Sequence, residues 1–74
     1  MEVEPPDVID PVEGAKIINN GPTVLVVTIS SDDGPPQTVE VPPFGVEFWY
    51  PPEGWRSARF TAPGQKDQTR MIET

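Results

Sequence analysis

The chain has 74 residues, no cysteine and no histidine, and twelve acids against five bases give it a net charge of −7. That length holds one small domain. The missing residue types exclude a disulfide framework, a Cys/His zinc centre, a thiol nucleophile and a Ser-His-Asp triad.

Leu, Ile, Val and Phe make up about a quarter of the chain, above the roughly 20% below which a charged chain stays disordered. A single leucine, Leu25, and three alanines leave few strong helix formers. Val, Ile, Thr and the aromatics fit a pleated, half-buried surface instead. The predicted fold is all-β: a small antiparallel β-sandwich or open barrel, a meander of five to six short strands, with an extended proline-containing N-terminal arm.

Residues 1–13 hold three prolines and five carboxylates, Glu2, Glu4, Asp7, Asp10 and Glu13, and no base. Proline there favours extended backbone. Val3, Val8, Ile9 and Val12 are apolar, which a purely solvated tail does not need. The expected division is therefore an arm over residues 1–13, docking through those four side chains on a neighbour, and a β domain over residues 14–74.

Strands are predicted at Ala15–Ile18, Thr23–Ser30, Gln37–Val41, Phe44–Tyr50 and Trp55–Ala62, with a last edge strand at Gln68–Ile72. Asn19-Asn20-Gly21-Pro22, Ser31 to Pro36, Pro42-Pro43, Pro51-Pro52-Glu53-Gly54 and Pro63-Gly64 are turn signals between them. Alternation sends Leu25, Val27, Ile29, Val39 and Val41 inward. In the next two strands it assigns Phe44, Val46, Phe48 and Phe60 to the core. Trp49, Trp55 and Arg59 then share the opposite face with Glu47, as a candidate partner-binding surface.

No residues compose a catalytic site. Glu47 and Glu53 are two carboxylates without the deep cleft a glycosidase needs. Asp32-Asp33-Gly34 reads as a turn rather than a calcium loop, because Pro35 and Pro36 stand where further oxygen ligands belong. Arg56 and Arg59 beside Trp55 form a base-plus-aromatic cluster, but the net charge repels phosphate. Residues 1–53 carry a net −9 and residues 54–74 a net +2, a dipolar pattern suited to head-to-tail contact or to a basic partner. The expectation is no enzyme, no cofactor, no metal, no nucleic acid and no membrane contact.

No motif specific to one family is present. In general form the chain resembles small structural proteins of tailed phages that decorate or cement capsids: tiny, acidic, cysteine-free β domains with an extended arm. The longest apolar run, Val24 to Val27, is far short of a membrane span and the Met-Glu-Val-Glu start has no signal-peptide pattern. With the resemblance, the expectation is a virion or cytoplasmic protein without signal peptide or transmembrane segment. It would dock on a protein lattice and self-assemble into a homo-oligomer, since a core this small relies on neighbours. Two alternatives are an immunoglobulin-like or carbohydrate-binding module using Trp49, Tyr50 and Trp55, and an acidic inhibitor that mimics nucleic acid.

Overall fold

The computed structural model describes residues 1–74 and contains eight β-strands and no helix. They are β1 (Glu2–Glu4), β2 (Val8–Ile9), β3 (Ala15–Ile18), β4 (Leu25–Ser31), β5 (Gly34–Val41), β6 (Val46–Trp49), β7 (Ser57–Thr61) and β8 (Gln68–Ile72). A small sheet of three strands runs β1-β3-β6, and a large sheet of five runs β2-β8-β7-β4-β5. All neighbours are antiparallel except β2 and β8. No helix is long and apolar enough to cross a membrane.

The all-β sandwich agrees with the sequence expectation, and the connectivity adds detail to it. Only β4–β5 and β7–β8 are hairpins. The chain changes sheet five times, between β1 and β2, β2 and β3, β3 and β4, β5 and β6, and β6 and β7. This is the Greek-key order of immunoglobulin-like sandwiches rather than a simple meander. Turn residues mark where a strand ends. They do not say whether the next strand stays in the sheet or crosses the core.

Alternation in β4, β5 and β7 places the core as expected. Val27, Ile29, Val41, Ala58 and Phe60 are buried, with Leu25 and Val39 packed against them. The small sheet contributes Val3, Ala15, Ile17 and Trp49, and β2 and β8 add Ile9 and Ile72. Trp49, from the small sheet, packs onto the large one. Its ring meets Phe60 edge-on at 5.5 Å and lies 5.7 Å from Trp55. Its Nε1–H donates to Gln37 Oε1 at 2.9 Å.

Within residues 1–13 only Glu2–Glu4 and Val8–Ile9 are strands, with a bend between them and a turn after them, and the segment does not form an arm apart from a 14–74 domain. β1 pairs with β3 in the small sheet and β2 pairs with β8 in the large one. Val3 and Ile9 are buried in the chain's own core. The two sheets are tied at this seam by β8. Arg70 donates from Nη2 to the Val3 carbonyl at 2.9 Å and from Nε to that of Pro5 at 2.8 Å, and Gln68 Nε2 donates to that of Met1 at 3.0 Å. Burial offers the apolar side chains a place at once, and the seam supplies donors for the strand's outward carbonyls.

Asn19 organises the opposite end. It is buried, and its Nδ2 donates to the carbonyls of Thr23, Val41 and Pro42 while its Oδ1 accepts from the Gly21 N–H. Asn19→Ala removes the donor shared by these three carbonyls and the acceptor of the Gly21 N–H, and is expected to cost about 2–3 kcal/mol. Urea unfolding measures it, and a loss below about 0.5 kcal/mol, the level of an ordinary surface change, contradicts this role.

Candidate functional site

The sequence candidates do not converge. Val3 and Ile9 lie in the core, whereas Val8 and Val12 are exposed. Val8 sits opposite Met71 on the outer face of the large sheet. Arg59 is exposed on that face, beside a shallow polar depression lined by Ser30, Ser31, Ser57 and Thr69. Trp49 and Trp55 are 4% and 5% exposed, so neither presents a ring to a partner.

The aromatic assignment over residues 44–60 is thus inverted in part. Phe60 is core, but Phe44, Phe48 and Tyr50 are 71%, 56% and 57% exposed, and Val46 lies open beside them. Alternation separates two faces and does not say which one is inside. β6 is an edge strand. Its inward face needs only one deep side chain, Trp49, because Glu47, opposite Ile17, reaches solvent around the open rim. Trp55 precedes β7, so the strand's period does not reach it. The turn over Pro51 to Gly54 swings it onto Trp49 instead.

This leaves exposed apolar side chains along β6 on the outer face of the small sheet, beside Glu2, Glu4 and Lys16. The register aligns Glu2, Ile18 and Val46 in one row and Glu4, Lys16 and Phe48 in the next. Phe44 and Tyr50, also exposed, flank β6 at either end. Tyr50 lies over Gly14, whose φ of 76° and lack of a side chain admit the ring; a Cβ there would stand 2.7 Å from it. An exposed contiguous apolar patch marks an interaction surface more often than scattered single residues do.

Phe44 is also held in a costly conformation. The Gly45 N–H donates to the Pro42 carbonyl at 2.9 Å, closing a turn with Phe44 at its third position, where φ is 52°. That position favours Gly or Asn, and an L side chain there costs roughly 1–2 kcal/mol. Nothing in the core repays it, since the ring points to solvent. Phe44→Asn is therefore expected to raise stability by about 0.5–1 kcal/mol. A higher thermal midpoint confirms the strain, and a lower one shows that the ring contributes to packing.

Asp32-Asp33 is the β4–β5 hairpin turn, and its chemistry is structural. Asp33 Oδ2 accepts the Arg56 N–H at 2.7 Å. That hydrogen bond, with the Arg56 guanidinium and the Ser31 hydroxyl, holds the carboxyl below its ordinary value against partial desolvation. The folded state thus favours the ionised form. Its stabilisation is complete above the unfolded value and is lost as pH falls through the folded one. The stability gap between wild type and Asp33→Asn should be full at neutral pH and close below about pH 4. A gap independent of pH contradicts the assignment. No three acidic side chains converge as metal ligands.

The acids do not form one surface. Glu2 and Glu4 face outward from the small sheet, whereas Glu40 faces outward from the large one, on the other side of the sandwich. Comparison with protein-family models, with curated proteins and with solved structures returns no match for this chain.

Proposed function

We propose that the chain is a non-enzymatic assembly protein that docks on a larger protein lattice, foremost as a viral (phage) capsid decoration or cement protein. The observation that supports this reading is the apolar set of Phe44, Val46, Phe48 and Tyr50. It is exposed on a chain whose core closes without it, and one of its members sits in a strained backbone. Strain retained without a packing return is characteristic of functional positions. Docking shifts from the N-terminal segment to the outer face of the small sheet. Repetition over many copies makes modest individual contacts sufficient.

The alternatives draw less support. Sugar stacking through Trp49 and Trp55 lacks exposed rings, although the immunoglobulin-like strand order itself suits a binding module. Mimicry of nucleic acid lacks acids gathered on one face.

The test is sedimentation of the full chain with assembled capsids that lack it. Wild type is expected to pellet with the particles, and the Phe44→Ser/Phe48→Ser double variant to stay in solution. Equal pelleting of the two, or none by wild type, contradicts the proposal.

A further inference from the structure

A sheet edge carries unpaired backbone groups, and proteins cover the edges not meant for pairing. Three of the four edges here are managed in that way. The outward carbonyls of β1 are taken by Gln68 and Arg70. β2 is two residues long. β5 starts with Gly34-Pro35-Pro36 and turns Thr38 and Glu40 to solvent. β6 is four residues long and carries Glu47 on its inward face, but no side chain donates to the Val46 or Phe48 carbonyl and its first three residues are all exposed.

The ladder fixes which β6 groups are free. The Asn19 N–H donates to the Gly45 carbonyl at 2.9 Å, in phase with the β3–β6 register. Bonded pairs alternate along an antiparallel ladder. Glu47 and Trp49 therefore bond to β3, and the N–H and C=O of Val46 and Phe48 point away from it. The same phase turns Val3 of β1 outward, with Met1 and Pro5 on either side of the strand, which is where the Arg70 and Gln68 bonds are found.

We infer that β6 receives an extended segment of a partner protein with apolar–basic–apolar alternation. The inference rests on the docking reading above and names the partner's chemistry. A strand added to β6 pairs its backbone with Val46 and Phe48. Residues directly opposite each other share a face. Apolar side chains of the added strand then cover Val46 and Phe48 on the outer face, and the residue between them meets Glu47 on the other side. Opposite charges across a pair stabilise it and like charges oppose it, so that residue is basic. A chain of net charge −7 favours the same sign in its partner. The added strand occupies the fourth position of the four-stranded sheet in constant-type immunoglobulin domains. A second copy is the poorer occupant: pairing Val46 with Phe48 of another chain sets Glu47 against Glu47.

The experiment is an NMR titration of the full chain with a short synthetic peptide of alternating valine and lysine, beside one with glutamate for lysine. The lysine peptide should bind and slow hydrogen exchange at the Val46 and Phe48 amides. Glu47→Lys should reverse the preference between peptides. Val46→Pro removes an N–H directed away from β3, so the β3–β6 ladder is kept, and binding should weaken about tenfold. No binding, unprotected Val46 and Phe48 amides, or an unchanged preference in Glu47→Lys overturns strand addition. In the sedimentation assay, loss in Phe44→Ser/Phe48→Ser with full retention in Val46→Pro leaves face docking standing and removes strand addition. Retention by the double variant removes the docking reading itself.

Discussion

Removing residues 1–13 is expected to abolish folding of the remaining chain. The deletion takes away two strands, one from each sheet. It strips Val3 and Ile9 from the core, each contributing about 1.5–3 kcal/mol of burial. It also bares the apolar surface those side chains cover, and it frees Arg70 and Gln68 from the seam. A 74-residue domain has roughly 4–11 kcal/mol of stability in total, so the combined loss is of the same size as the whole. Far-UV circular dichroism and amide dispersion in NMR spectra distinguish the outcomes. A truncated chain that still unfolds cooperatively would show that β1 and β2 are accessories.

Trp49→Ala is expected to cost about 3–5 kcal/mol, as for other large aromatic truncations in a core. The indole fills the space between the sheets, against Phe60 and Trp55, and its loss leaves the Gln37 amide without its donor. Trp49→Phe retains most of the ring contact and gives up the hydrogen bond, for a smaller cost of about 1 kcal/mol beyond any void. The adjacent Phe48 provides the contrast. Phe48→Ser alters an exposed position and should change stability by no more than about 0.5 kcal/mol. Chemical denaturation measures all three. Equal costs at positions 48 and 49 would contradict the assignment of faces.

Much of the architecture is legible in the residues themselves. Leu25, Val27 and Ile29 alternate without interruption, and Val39 and Val41 do the same, so the central strands and their inward faces follow from period alone. Pro42-Pro43, Pro51-Pro52 and the Asn-Gly and Pro-Gly steps place loops, whereas Pro35-Pro36, expected in a loop, lies at the start of the edge strand β5. The N-terminal segment is harder. Proline and five carboxylates lower its strand propensity, and only pairing partners more than ten residues away in sequence convert Val3 and Ile9 into core. Those contacts are tertiary, and no local pattern reports them.

The site was hidden for a related reason. Phe44, Val46, Phe48 and Tyr50 alternate as a core face would, while Glu47 on the other side makes that face look like surface. The edge position of β6 reverses the assignment, because a charge on its inward face still reaches water. One signal was available: Pro42-Pro43-Phe44-Gly45 places a bulky residue at the turn position that prefers glycine or asparagine. Asn19 was legible as a turn residue, but its three carbonyl partners depend on loops that only the fold brings together.

The central claim is that binding belongs to the outer face and free edge of β6. An unbiased displayed-peptide library, selected in parallel on wild type and on Phe44→Ser/Phe48→Ser, tests it directly. The account predicts that wild type enriches peptides in which apolar and basic residues alternate, and that the double variant, with an unchanged or raised thermal midpoint, enriches none of them. Enrichment of the same peptides by both proteins would contradict the claim.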